Sequence, residues 1–349
     1  MSLFGIKPVT ESTVFEGSHR YMGETVELDE ILFEAAKDIH QIQGGLYVAD
    51  IMMESQVVYE GASEEVLLEG VVKDFFDKLI EAFRKLWNKI KVWFQQVYKS
   101  IELLFADGAK LVKKFGKEIH AKDTNGYTYK GYNWKKDAVA ALYDLRKVEK
   151  EEVPSFSSIE QIIEAADVPT NKEGKVTSEE VQKANKEYLR EVASADNISE
   201  LKENILEQTM GGSTEKEEIE NFSVYSVTEM MNFLKDHKKL VDKLKKAEKN
   251  NNRTCDNVIK GFTNLKKELS TEDQAKYSST ISNCATAFRN IIAVNNAMVS
   301  CAIIVAKKQN SEFVGALKGL LRYKPAKEGF GYMGGSNNSS LLESAMGLI

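Results

Sequence analysis

The sequence is poor in proline and cysteine, and it has no long uncharged apolar run. Four prolines in 349 residues leave long stretches without a helix breaker. The three cysteines are odd in number and their spacings fit no zinc or redox motif, so we expect buried free thiols in a reducing compartment. The most apolar stretch, residues 291–306, is interrupted by Asn295 and Asn296 and is too short for a hydrophobic membrane span.

Patterns that carry catalysis are also missing. The four histidines have no metal-ligand spacing, and no phosphate-binding loop, dinucleotide fingerprint or nucleophile elbow occurs. We therefore predict no catalytic residues, no metal site, no cofactor and no enzymatic activity.

Charge is distributed unevenly along the chain, whose formal net charge is −6. Residues 1–69 contain 3 Lys/Arg and 14 Asp/Glu, a net charge of −11. Residues 70–119 contain 11 Lys/Arg and 6 Asp/Glu, a net charge of +5. This contrast predicts a separable acidic leader in front of a basic region.

A long amphipathic helix is predicted where the basic region begins. Its apolar residues alternate at three- and four-residue steps from Val72 to Val97, and lysines lie mainly on the opposite side. A break is predicted at Asp107 and Gly108, followed by a short basic continuation to residue 119. The stripe is rich in aromatic side chains, which we call the aromatic face: Phe76, Phe83, Trp87, Trp93 and Phe94.

Three interpretations of the aromatic face remain open. The rest of the chain could bury it as a core helix. It could pack against another copy of the chain or a partner protein. It could also lie at a membrane surface, as basic amphipathic helices with Trp and Phe do.

The acidic leader repeats a tetrapeptide that consists of an apolar residue, any residue, Glu and a small residue. Six copies fall within the first 70 residues, whereas ordinary frequencies would give roughly two or three in the whole chain. Further matches occur at 162–165 and 341–344. The six copies occupy residues 9–12, 14–17, 32–35, 52–55, 58–61 and 67–70.

This arrangement resembles internal head proteins of large T-even-like bacteriophages. In that family a prohead protease cuts after Glu in Leu/Ile-x-Glu before a small residue, and it removes an acidic targeting propeptide. The resemblance covers the first 70 residues and the last ten or so. It implies processing sites at three places: Leu67, Glu69 and Gly70; Leu32, Glu34 and Ala35; and Leu341, Glu343 and Ser344.

The resemblance also implies a location and partners. We expect a virion protein that lies in the head interior after assembly in the host cytoplasm and is ejected with the DNA. Its partners would be capsid or scaffold proteins and the prohead protease. Non-specific DNA contact, membrane-surface contact through residues 70–119 and self-association are further expectations. The alternative is a helical protein-interaction module whose acidic tail folds back on the basic helix, or a membrane-active amphipathic-helix protein.

Residues 169–180 resemble an EF-hand loop in part. Asn171, Glu173 and Glu180 fall at ligand positions, and Gly174 falls at the turn position. Pro169 occupies the first ligand position and offers no side-chain oxygen. A capped helix-loop-helix is therefore the favoured interpretation, with Thr177 and Glu180 as a capping box.

The predicted fold is mainly α: a helical bundle with a long C-terminal antiparallel hairpin, preceded by a poorly structured acidic leader. Helices are expected at 135–151, 158–166, 177–194, 199–208, 227–269 and 271–321, with a loop or small hairpin at 121–134 and a linker at 213–220. The predicted sections are 1–69 (leader), 70–119 (basic aromatic helix), 120–220 (middle helices and loops), 221–322 (hairpin) and 323–349 (flexible tail).

Overall fold

A computed structural model describes residues 64–145 and 152–324, with side chains from residue 74 onward. The described chain is mainly helical with one small sheet, so the predicted fold class is confirmed. Residues 1–63 of the predicted leader and residues 325–349 of the predicted tail lie outside the described residues, whereas residues 64–69 of the leader form the start of the first helix. The helices are α1 (Glu64–His120), α2 (Lys136–Tyr143), α3 (Ile159–Ala166), α4 (Ser178–Ala193), α5 (Ile198–Thr209), α6 (Val227–Lys235), α7 (His237–Glu268) and α8 (Thr271–Arg322).

Helix α8 is the centre of the fold. Every other described helix packs against it, and so does the first strand. Helices from the predicted sections 70–119, 120–220 and 221–322 therefore share one core. Ser270 caps α8 by accepting from the Asp273 N–H, and the short connection makes α7 and α8 the predicted antiparallel hairpin.

Helix α1 is longer and more regular than the sequence pattern predicted. It continues through Gly108 without the expected break. A Cβ at this position would lie 2.8 Å from the Leu234 Cδ2. The glycine therefore allows α6 to approach α1 closely, and it does not end the helix.

The predicted helix at 227–269 is two helices, α6 and α7, that meet at Asp236. The polar stretch around Asn251 does not interrupt α7. The Asn251 side-chain amide donates to the Asn296 Oδ1 of α8 at 3.0 Å, and the Asn296 side-chain amide donates to the Ile292 carbonyl at 2.8 Å. Both asparagines are buried, so this pair fixes the register of the hairpin.

Two short strands form an antiparallel sheet, which we call the ribbon: β1 (Thr128–Gly131) and β2 (Glu217–Glu220). Thr128 pairs with Glu220 and Gly131 pairs with Glu217. The segment 121–134, predicted as a loop or small hairpin, and the segment 213–220, predicted as a linker, each contribute one strand to this sheet, a pairing that we did not predict. Each segment is too short and polar to signal a strand alone, and their pairing spans almost 90 residues.

Caps explain where the middle helices begin. The side chains of Ser158 and Asn197 accept backbone N–H groups at the starts of α3 and α5. Thr177 and Glu180 form the predicted capping box of α4. Helix α2 ends at Tyr143, well short of the predicted residue 151.

The packed interior has two parts. The larger joins α1 up to Phe105 with α7, the middle helices and α8 up to Ala306. The smaller joins the last turns of α1, the ribbon, α6 and α8 from Phe313 to Leu320.

Candidate functional site

The predicted processing site after Glu69 lies in the first two turns of α1, which begins at Glu64. A protease binds an extended segment, so these turns must unwind before the Glu69–Gly70 bond can be cut. Terminal turns unwind most easily, because their first N–H groups have no partner within the helix. The other predicted processing residues lie outside the described residues: Leu32, Glu34, Ala35, Leu341, Glu343 and Ser344.

The matching tetrapeptide at 162–165 lies in a different environment. It forms the middle of α3, where Ile162 is fully buried and Ala165 is 7% exposed. Cutting after Glu164 would require α3 to leave the core. The same tetrapeptide pattern thus lies in the terminal turns of α1 at 67–70 and against the core in α3 at 162–165.

The aromatic face of α1 is buried within the chain itself. Phe76, Phe83, Trp87, Trp93 and Phe94 are each at most 7% exposed. Phe83 packs against Phe262 of α7, with 5.7 Å between ring centroids. Of the three interpretations, this arrangement agrees with the core helix. A membrane or partner could contact the aromatic face only after α1 left the bundle.

The outer side of α1 carries four exposed lysines close to its C-terminal end. Lys110, Lys113, Lys114 and Lys117 follow the i, i+3, i+4, i+7 spacing of one helical face. We call them the lysine face. Lys110 lies 3.8 Å from Asp107, and within the described residues no ion pair engages the other three.

The loop that resembles an EF-hand uses its oxygens internally. The Asn171 side-chain oxygen accepts from the backbone N–H groups of Glu173 and Lys175, at 2.9 and 3.0 Å. The Glu180 carboxylate accepts from the Thr177 N–H at 3.0 Å. These bonds hold the turn and cap α4, as the helix-loop-helix interpretation requires.

The structure also reveals a buried polar cluster around Glu312 that sequence reasoning missed. Glu312 is 4% exposed. Its carboxyl accepts from the Tyr132 N–H at 3.0 Å, and both oxygens lie 3.2 Å from the Trp134 Nε1. The donors follow β1 directly, so one α8 side chain holds the end of the ribbon. We call Glu312, Tyr129, Tyr132, Trp134 and Lys216 the Glu312 cluster.

Close packing around Gly131 encloses this carboxyl. A Cβ at Gly131 would lie 2.6 Å from the Glu312 Oε1 and 2.9 Å from the Tyr129 ring. Only glycine leaves this space. The Tyr129 hydroxyl is buried and has no hydrogen-bond partner among residues 64–145 and 152–324.

Burial raises the pKa of Glu312 to about 7, although the bonds from Tyr132 and Trp134 and the charge of Lys216 each oppose the rise. Burial likewise raises the pKa of Tyr129, and the nearby Glu312 charge adds to the effect. These are the shifts expected when a carboxyl and a phenol share a site with little water.

Neighbouring polar side chains extend the network. Lys308 donates to the Tyr132 hydroxyl at 3.1 Å and lies 4.8 Å from the centre of its ring. Gln309 accepts from the Tyr143 hydroxyl at 2.6 Å and donates to the Tyr225 hydroxyl at 3.2 Å. The available sequence signal was the run of polar residues from 307 to 312 in an otherwise apolar helix.

The described residues contain no group of three or more His, Cys, Asp or Glu side chains placed to hold a metal ion. Helix α8 is long and apolar enough to cross a membrane, but 83% of its most apolar window is buried inside the bundle. That burial is typical of a core helix. The stretch at 291–306, which we predicted to be too short for a membrane span, is part of this longer helix.

Comparison with known proteins found no matching protein-family model, no matching curated protein and no matching solved structure.

Proposed function

We propose that this chain is an internal or structural protein of a phage virion, directed into the head by residues 1–69 and cut after Glu69. The supporting observation is the group of six tetrapeptides in the first 70 residues, the last of which lies where the charge changes from acidic to basic. The role is structural and non-catalytic. Capsid or scaffold proteins and the prohead protease are the proposed partners, and the head interior is the proposed location.

The fold is compatible with a cut at this position. Among the side chains that the structure describes, from residue 74 onward, the first buried ones in α1 are Phe75 and Phe76. Cleavage would leave all the described core side chains in the mature chain. The acidic charge would be lost, and the bundle with its basic outer side would remain.

We further propose non-specific DNA contact through the lysine face. Exposed lysines in two successive turns suit a phosphate backbone, which is bound through charge and without base recognition. Leu103, seven residues before Lys110, is 75% exposed, but a single apolar side chain does not make the apolar face that insertion into a membrane requires, and a polyanion is therefore the favoured ligand. Removal of the acidic leader would raise the affinity.

The test uses protein purified from native particles and compares Glu69→Gln with Glu164→Gln as the matched control. We expect the wild-type chain and the control to begin at Gly70, as read by intact mass and N-terminal sequencing. The Glu69→Gln chain should begin before Gly70, at Met1 or, if the site after Glu34 is used, at Ala35. The control is informative because its tetrapeptide has the same pattern but is folded into α3.

A full-length chain from Met1 to Ile349 in mature particles would refute the processing step. It would support the interaction module with an acidic regulatory tail. Cleavage at Glu164 in the wild-type chain would contradict the argument from accessibility.

A further inference from the structure

We propose that Glu312 is a proton-operated latch that keeps the ribbon closed on α8 in acid and weakens its attachment at neutral to alkaline pH. This inference is independent of the virion role, because it rests on the contacts between α8 and the segment that follows β1.

The latch has one acceptor group and two donors. The Glu312 carboxyl receives the backbone N–H of Tyr132 and the indole N–H of Trp134. A neutral carboxyl keeps an acceptor oxygen for these donors and carries no charge to bury. An ionised carboxyl in the same place must give up most of its hydration, which is costly at 4% exposure.

The hydrogen bonds from Tyr132 and Trp134 and the charge of Lys216 offset only part of that cost. Gly131 lets the Glu312 Oε1 and the Tyr129 ring approach so closely that a methyl group would not fit between them. Within the part of the chain that the structure describes, the Tyr129 hydroxyl has no hydrogen-bond partner. Water therefore reaches the carboxyl only when the ribbon moves away from α8, and ionisation and opening become linked.

The charged and titratable groups around Glu312 come from several elements. Lys216, which precedes β2, is the cation that favours the ionised carboxyl. Lys308 on α8 itself is directed to the Tyr132 hydroxyl. From helix α1, the Leu104 carbonyl accepts a hydrogen bond from the Asn310 side chain, and Gly108 lies next to the same side chain. Asn310 is two residues before Glu312 on α8. The remaining groups are Tyr129 from β1, Tyr225 before α6, and the Lys136–Glu229 ion pair at 2.6 Å between α2 and α6.

The direction of the pH effect follows from the pKa values. The pKa of Glu312 is about 7 in the closed arrangement, and in water an ordinary Glu has a pKa of about 4.3. The closed arrangement therefore binds the proton more tightly than the open one. Raising the pH from 5 to 8 must favour opening, by roughly 50-fold or more in the opening equilibrium.

Hydrogen exchange of the full chain at pH 5 and pH 8 tests the latch, after correction for the intrinsic pH dependence of exchange. We expect the opening of residues 127–134 to rise about 50-fold in the wild-type chain and to change little in Glu312→Gln. Glu229→Gln is the matched control. Lys136 and Ser226 lower the pKa of Glu229 to about 2, so that variant should keep the wild-type pH dependence.

Two results would overturn the proposal. One is the same opening in the wild-type chain at both pH values. The other is an equal pH dependence in Glu312→Gln and wild type. If Glu312→Gln does not fold, a carboxyl ¹³C NMR titration of the wild-type chain decides. A Glu312 resonance that titrates near pH 7 supports the latch, and one that titrates near the ordinary value of about 4.3 refutes it.

Discussion

Single glycines control how closely the elements of this protein approach one another. At Gly131 the space is taken by a carboxyl oxygen and an aromatic ring from two different elements. At Gly315, on the exposed side of α8, a Cβ would meet nothing within 4 Å. A methyl group added at Gly131 therefore tests side-chain packing, whereas one added at Gly315 tests only the helix propensity of the residue.

Gly131→Ala should lower the free energy of unfolding by about 1–3 kcal/mol, because the added methyl group overlaps the Glu312 Oε1. Gly315→Ala should raise it by about 0.5–1 kcal/mol, because alanine favours a helix interior and no neighbour opposes it. Denaturant unfolding at pH 6 measures both. If both variants were stabilised, the close approach at Gly131 would be absent.

Within the α7–α8 hairpin, the buried pair of Asn251 and Asn296 sets the alignment. Asn251→Ala leaves the Asn296 Oδ1 buried without the donor it now has, at a cost of about 1–3 kcal/mol. Asn252→Ala, at the half-exposed neighbouring position, should change the free energy of unfolding by less than about 0.5 kcal/mol. Thermal unfolding of the two variants gives the comparison. Equal effects would show that the pair does not contribute to the hairpin.

Element boundaries could be predicted where the signal is local. The caps at Ser158 and at Thr177 with Glu180 were readable from sequence, since a cap depends on residues three positions apart. The break between α6 and α7 was missed because apolar periodicity hardly changes at Asp236. The ribbon was missed because each strand is defined by its partner, and the partner lies almost 90 residues away.

Over the whole molecule, the outer side of α1 is basic at one end and largely ion-paired at the other. Near the start of the helix Lys78 contacts Asp74 at 2.5 Å, and Lys85 contacts Glu81 at 2.9 Å. The lysine face, at the far end, has only the distant Asp107 beside Lys110. We expect this end to be the one that meets a polyanion.

Replacing Lys113, Lys114 and Lys117 with Ala should weaken binding to a random-sequence DNA duplex. The slope of log affinity against log salt should fall in magnitude by roughly 3, one unit per lost phosphate contact. The control replaces three exposed, ion-paired lysines, Lys78, Lys85 and Lys175, and should change the slope much less. Fluorescence anisotropy from 50 to 200 mM salt measures both.

Two outcomes would refute DNA contact through the lysine face. One is an equal loss of slope in the two triple variants. The other is binding of the wild-type chain to anionic vesicles with none to duplex DNA, which would point to a membrane surface. Either result leaves the processing proposal untouched, because that proposal is tested by mass.

The sequence by itself determined the helical class, the long C-terminal hairpin, several caps and the group of tetrapeptides, because these features depend on residues a few positions apart. Only the tertiary structure decided which faces are covered. It buried the aromatic face against α7 and α8, and it folded the tetrapeptide at 162–165 into the core. It also enclosed Glu312 between α8 and the ribbon, because the groups that surround it come together only when segments distant in the chain pack on the same helix.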